Sequence, residues 1–391
     1  MEASESRRPV PRVRRLVVKV GTSSLVDSSG SMVRSGLAKV VRDVAAVSGN
    51  RGVACVLVSS GAIASGLDAL GLARRPSRLP ALQAAAAVGQ GRLLSEYARL
   101  FSRHGLITAQ VLLTQDDFVR RRQFVNAQNT FEHLLSARAI PVVNENDTVA
   151  TEEITFGDND RLAALVAIMV KADLLVLLSD VDGIYTTDPR KQGAKFVAEV
   201  LDPLHVQVTG SRSAFGSGGM ASKLQAAGLS TAAGIPTVVA SASRKDVLSR
   251  ILAGEPLGTW LPSRSPRRRA RKAWMAFATS PRGKIHVDAG AERALRDLGK
   301  SLLSAGVVRI EGQFAPGEPV EVVGPEGAVF ARGIARFSAQ DLAQMAGRRR
   351  STRSLHSERP LSEGAAKGDS RDGEVIHRDE LVITGEDSCR S

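Results

Sequence analysis

The chain has 391 residues, 43% of them hydrophobic, too many for one ordinary domain and enough for at least one large core. Cys55 and Cys389 are its only cysteines, which excludes a disulfide framework and a cysteine metal cluster and favours a reducing, cytoplasmic setting. The net charge of +13 is concentrated in two short places, +3 in residues 1–15 and +6 in 263–272, so it reads as solvated tail and connector rather than as a nucleic-acid face.

Residues 1–15 mix Ser, Arg, Pro and Glu without periodicity and read as a disordered tail. They hold no apolar signal core, and no apolar run in the chain approaches a membrane span. Leu16-Val17-Val18-Lys19-Val20 then reads as a buried parallel-type strand that exits through Gly21-Thr22-Ser23-Ser24. A lysine inside such a strand is costly unless its ammonium meets an anion. The plain alternative is a lysine snorkelling from an edge strand.

Residues 35–48 have helical periodicity. A second strand over 53–58 runs into Ser59-Ser60-Gly61 and a helix, whose N-terminus offers free N–H groups to an anion. An Ala-rich helix spans 79–103 with Gly89-Gln90-Gly91 inside it. Strands follow at 106–113, 140–143 and 174–178, with helices over 123–138 and 159–170 between them. Strands alternating with helices predict an α/β fold, a parallel-rich sheet sandwiched by helices. In such sheets ligands sit beyond the carboxyl ends of the strands. Those ends here carry Gly21–Ser24, Ser59–Gly61, Asn144–Asp147 and Ser179–Asp182, all rich in small, hydroxyl or acidic groups.

The densest polar stretch is 144–161. From Asn144 to Asp160 it holds six carboxylates and no Lys or Arg. Capping of the next helix would occupy one of Asp158, Asn159 and Asp160, but not all three, nor Asn144 and Asp147. Further on, Ser217-Gly218-Gly219-Met220-Ala221-Ser222-Lys223 precedes a helix. It fits neither a Walker A loop nor a dinucleotide fingerprint. Its glycines would still let backbone approach phosphate oxygens that Lys223 could neutralise. A flexible loop with a solvated lysine is the plain alternative. A strand over 237–240 follows, and the first domain, 16–262, closes there.

Residues 263–272 read as a basic linker. From 273 to 385 the texture turns to short strands and turns, a small, mostly β domain. Within it, 348–373 reads as a disordered insertion.

Taken together, Val18-Lys19-Val20-Gly21-Thr22-Ser23, Ser59-Ser60-Gly61-Ala62, Asn144-Glu145-Asn146-Asp147, Gly157-Asp158-Asn159-Asp160, Ser179-Asp180 and Gly218-Gly219-Met220-Ala221-Ser222-Lys223 resemble the glutamate 5-kinases of the amino-acid-kinase fold. The resemblance covers residues 16 to about 260 in order, and the second domain resembles a PUA domain. It implies transfer of the γ-phosphoryl group of ATP, with Mg²⁺ held mainly through the nucleotide, to the side-chain carboxylate of L-glutamate, the first step of proline biosynthesis. Lys19 and Lys223 correspond to the pair that shields the phosphates, Asp158 to the carboxylate that holds them, and Asp160 to the same site. Asp147 and Asn159 correspond to the readers of the substrate ammonium, with Asn144 beside them. Ser60 and Gly61 correspond to the turn that takes a substrate carboxylate.

By the same resemblance Ser179, Asp180 and the 217–223 loop lie at ATP. Glu153 falls where feedback inhibition by proline is influenced. A homo-oligomer, dimer or tetramer, is implied as well. Ala221 departs from the Ser or Thr common at its position. The net-neutral second domain argues against RNA binding, which leans on phosphate contacts. The alternatives are a same-fold kinase acting on another carboxylate, a carbamate or UMP, and an RNA-binding PUA protein with a vestigial kinase domain.

Overall fold

The computed structural model describes residues 12–26, 33–72, 75–149, 159–189, 192–203, 219–263, 281–345, 373–378 and 381–383. Glu153, Asp158, Ser217, Gly218, the connector beyond Ser263 and the 348–372 segment lie outside the described residues. The described chain falls into two compact units, one drawn from residues 12–118 and 122–263 and one from 119–121 and 281–383.

The first unit alternates strands and helices. In chain order these are β1 (Arg15–Val20), α1 (Arg34–Arg51), β2 (Ala54–Ser59), α2 (Ala62–Ala69), α3 (Leu79–Ser102), β3 (Thr108–Leu113), α4 (Gln115–Val119) and α5 (Arg121–Ser136). There follow β4 (Ile140–Glu145), α6 (Asn159–Met169), β5 (Leu174–Ser179), β6 (Ile184–Tyr185), β7 (Phe196–Val197), α7 (Met220–Ala232), β8 (Thr237–Ser241), α8 (Val247–Leu252) and β9 (Thr259–Leu261). Seven strands form one sheet in the order β3-β4-β2-β1-β5-β8-β9. All its pairings are parallel except that of β9 with β8. The inner strands read as continuous apolar runs because both faces are covered.

Leu16, Val18 and Val20 pack with α1, α3 and α8 on one face, through Leu37, Val41, Leu93, Phe101 and Leu248. The intervening β1 positions, Val17 and Lys19, point to the opposite face by the period of two. That side meets α6, which in turn packs on α7.

Two glycines let α2 and α3 touch backbone to backbone. A Cβ at Gly66 would overlap the Ala85 carbonyl, and one at Gly89 would overlap the Ala62 carbonyl. Periodicity sets no bounds for α2, β9 or the β6–β7 hairpin. At eight, three and two residues per element they are too short for periodicity to register.

The second unit is mostly β. Strands β10 (Gly283–Val287), β12 (Val307–Gly312), β13 (Pro319–Val323), β14 (Val329–Ile334) and β16 (Leu381–Ile383) form a sheet in the order β12-β10-β13-β14-β16. A second pair joins β11 (Leu302–Leu303) to β15 (Glu374–Ile376). Helix α9 (Ala289–Arg296) is capped by Asp288, whose side chain accepts from the Ala291 N–H at 2.7 Å. The core gathers Ile285, Val287, Leu295, Val320, Val322 and Phe330.

Candidate active site

The four strand ends singled out by sequence belong to β4, β2, β1 and β5, which are consecutive in the sheet. Parallel pairing brings their carboxyl ends to one edge, so Val20, Ser59, Glu145 and Ser179 finish side by side. Lys19 lies on β1, the fourth of seven strands, between Val58 and Leu177 in register. The edge-strand snorkel is therefore excluded. Lys19 is 2% exposed and its ammonium sits 3.6 Å from where a Gly21 Cβ would be.

The Lys19 ammonium forms an ion pair with Oδ1 of Asp160, in the first turn of α6. Lys223, from the first turn of α7, donates to Oδ2 of the same carboxylate at 3.0 Å. Asp160 is 0% exposed and Lys223 7%. Ser222 Oγ lies 3.0 Å from Asp160 Oδ2 and 2.7 Å from the Gly219 carbonyl, so one hydroxyl links α6 to the start of α7. The resemblance gave the lysine-holding role to Asp158, which lies outside the described residues. Among the described residues the carboxylate that bridges the two lysines is Asp160. Gly219 sits at the N-cap of α7 with Met220 and Ala221 after it, so the free N–H groups of that helix end lie beside Lys223.

Asn159, one residue before Asp160, serves the neighbouring strand ends instead. Its Nδ2 donates to the Ser59 carbonyl at 2.8 Å and to Asn144 Oδ1 at 2.8 Å, with Ser60 Oγ at 3.1 Å. Asn144 Oδ1 also accepts from the Glu145 N–H at 2.9 Å. The Asn159 amide nitrogen is thus spent on protein, leaving its Oδ1 as the atom suited to a cationic group. Ser60 accepts from Asn159 and keeps its own O–H to donate. It precedes Gly61, whose φ of +99° turns the chain from β2 into α2.

Asp147 follows β4. Burial pushes its carboxyl above the ordinary value of 3.8, against the opposing pull of a Gln90 hydrogen bond and the nearby Arg75 guanidinium. Ser179 Oγ donates to Asp180 Oδ1 at 3.1 Å. Close by, a cleft of about 250 Å³ is lined by Asp182, Tyr185, Phe196, Ser241 and Arg244 among others. Arg244 holds Asp182 through two bonds, of 3.0 and 2.8 Å.

Sequence reading passed over the residues of α3 that reach this region. Tyr97 OH lies 2.8 Å from Ser59 Oγ, both buried. Gln90 Nε2 donates to the Glu145 carbonyl at 3.3 Å. The signal available was a polar residue between two glycines in an Ala-rich helix.

The Amino acid kinase family matches residues 14–241, and the PUA domain matches 283–356. A glutamate 5-kinase of Salinispora arenicola is 48% identical over 382 residues, covering 96% of this chain and all of that protein. Another from Streptomyces avermitilis is 48% identical over 97% of this chain and 99% of its own length. A third, from Carboxydothermus hydrogenoformans, is 45% identical over 96% and 99%. With a buried two-lysine, one-carboxylate centre on an α/β sheet and identity at this level over nearly the whole length, the chain belongs to the amino acid kinase family and, within it, to the glutamate 5-kinases that carry a C-terminal PUA domain.

Proposed function

We propose that this protein transfers the γ-phosphoryl group of ATP to the side-chain carboxylate of L-glutamate, giving L-glutamyl 5-phosphate and ADP, the first step of proline biosynthesis. The observation that carries the reading is the convergence of Lys19 and Lys223, from separate elements, on opposite oxygens of buried Asp160.

The nucleophile is a carboxylate, already ionised at neutral pH. One of its oxygens bonds to the γ-phosphorus as the bond from that phosphorus to the β–γ bridging oxygen breaks, and no proton moves. Catalysis then consists of alignment and of neutralising charge that spreads over phosphate oxygens. Lys19 and Lys223 supply that neutralisation. Asp160 fixes both ammonium groups beforehand, so little reorganisation accompanies transfer. The N–H groups at the start of α7, with Gly219, Met220 and Ala221, add donors for phosphate.

At the substrate end, Ser60 donates to a carboxylate and the Gly61 turn presents it. Asp147 and Asn159 Oδ1 receive the α-ammonium, and Asn144 holds Asn159 in place. Proline shares the substrate's ammonium and α-carboxylate, which makes it a competitor for the same end. The cleft beside Ser179 and Asp180 takes the nucleoside. Among the described residues no three Asp, Glu, His or Cys groups stand together as a metal set. Mg²⁺ would arrive as the ATP complex and lower the charge of the triphosphate.

The test is a substrate panel with ATP and Mg²⁺ in which acyl phosphate is trapped by hydroxylamine. Hydroxamate from L-glutamate is expected. Turnover of N-acetylglutamate, aspartate or UMP without turnover of glutamate would overturn the assignment.

A further inference from the structure

Tyr97 of α3 is fully buried, its ring stacked near Phe101 within the core that covers β1 and β2. Its phenol oxygen lies 2.8 Å from Oγ of Ser59, the last residue of β2. Ser59 Oγ in turn donates to the Ser60 carbonyl at 3.0 Å. A serine hydroxyl has one proton, so the bond to Ser60 leaves only lone pairs for Tyr97, and the phenol is the donor. Burial raises the Tyr97 phenol above its ordinary value of 10, which keeps that proton in place at working pH. The three groups form a directed relay, from Tyr97 O–H to Ser59 O–H to Ser60 C=O. The Ser60 carbonyl belongs to the peptide that joins Ser60 to Gly61. That peptide is trans, so a carbonyl held towards Ser59 turns the Gly61 N–H to the opposite side. Other bonds hold the turn elsewhere: Asn159 donates to the Ser59 carbonyl at 2.8 Å and to Ser60 Oγ at 3.1 Å, and the Ser60 N–H donates to the Val20 carbonyl at 3.2 Å. None of these fixes the plane of the Ser60–Gly61 peptide. Gly61, at φ +99° and without a Cβ, makes a flip of that plane easy unless its carbonyl is held.

We infer that Tyr97 is a positioning residue for the amino-acid substrate: through Ser59, its hydroxyl holds the Ser60–Gly61 peptide in the orientation that presents the Gly61 N–H to a substrate carboxylate, beside the Ser60 hydroxyl. This role rests on the reading of Ser60 and Gly61 as the turn that takes that carboxylate. Tyr97 itself touches neither the substrate nor the reacting atoms. A phenol that merely satisfied its own buried oxygen would act on stability alone.

A double-mutant cycle on the full-length enzyme separates these cases. Tyr97→Phe removes only the phenol oxygen, and Ser59→Ala removes the middle of the relay. Each is expected to raise the KM for glutamate roughly fivefold, the scale of one hydrogen bond between neutral groups, with kcat and the KM for ATP within about twofold. Ser59→Ala leaves the buried phenol without its partner. Adding Tyr97→Phe removes that unpaired group, so the double variant should melt above Ser59→Ala. Its KM for glutamate should nevertheless stay as high as in the single variants, without further multiplication. An unchanged KM for glutamate in Tyr97→Phe, or one that returns to the parent value in the double variant as the melting temperature recovers, would overturn the inference. If Ser60→Ala leaves the KM for glutamate unchanged, the carboxylate reading of the turn itself fails. A raised KM in Ser60→Ala beside an unchanged one in Tyr97→Phe removes Tyr97 alone. Folding of every variant is checked by thermal melting. If Tyr97→Phe does not fold, Ser59→Ala carries the test, with an unchanged KM for glutamate as the adverse result.

Discussion

Lys223 Nζ donates to Asp160 Oδ2 at 3.0 Å while Lys19 takes the other oxygen of the same carboxylate. One buried side chain therefore sets the spacing of two cations that arrive from β1 and α7. Neither lysine can shift without disturbing the other's partner. For Asp160→Asn we expect kcat to fall by at least about 10²-fold, since the lysines lose their common anchor. Removing one partner of a buried ion pair also costs about 3–5 kcal/mol of stability. Steady-state kinetics and urea unfolding of the purified variant check both. Near-normal kcat would remove Asp160 from the mechanism.

Lys19→Ala and Lys223→Ala should each lower kcat by on the order of 10²-fold, the scale of losing one charge donor in the transition state. Arginine should not restore the rate at either position. Its planar fork cannot occupy the site of a compact ammonium between the strand and Asp160. The ratio of kcat in the Lys, Arg and Ala forms is the measurement, and recovery in Lys19→Arg would show that charge alone is required.

Much of this organisation was legible in the chain. Lys19 inside an apolar run, followed by Gly21 and hydroxyl residues, identified a buried cation at a strand end. The alternation of elements then ordered the four loops along one edge. The division of labour within residues 157–160 was less accessible. Asn159 and Asp160 are adjacent, yet a helical start turns one towards β2 and β4 and the other towards Lys19 and Lys223. Spacing alone does not say which strand ends two adjacent polar side chains at a helix start will serve. The roles of Gln90 and Tyr97 were hard to read for a different reason. They sit on a helix whose pattern reads as core, and their polar ends acquire meaning only once α3 lies across the ends of β2 and β4.

That placement of α3 depends on Gly66 and Gly89. Gly89→Ala would put a methyl group into the Ala62 carbonyl, which is backbone and cannot swing aside. Overpacking of this kind costs about 1–3 kcal/mol when side chains can yield, so a backbone collision belongs at the upper end or above. We expect a lowered urea midpoint and, in the folded fraction, a raised KM for glutamate, because Gln90, which donates to the Glu145 carbonyl at the end of β4, moves with the helix. A variant as stable as the parent would show that α2 and α3 separate freely.

Asp147 offers a test in which activity and stability move in opposite directions. Burial raises its carboxyl above the ordinary 3.8, so the folded protein binds that proton more tightly than the unfolded chain does. The stability linked to the proton is present below the unfolded value and is lost as pH rises through the folded one. At neutral pH the ionised, half-buried carboxylate is therefore a net cost to folding, with Gln90 and Arg75 offsetting part of it. Asp147→Asn should melt at a higher temperature than the parent at pH 7, with the gain shrinking towards pH 3. The same substitution should raise the KM for glutamate while leaving that for ATP unchanged. In the parent, the KM for glutamate should begin to rise, as pH is lowered, at a pH above the ordinary aspartate range. Melting curves and initial rates across pH 4–8 check all three. A lower melting temperature in Asp147→Asn at pH 7 would mean that the carboxylate is held by stronger partners than Gln90 and Arg75.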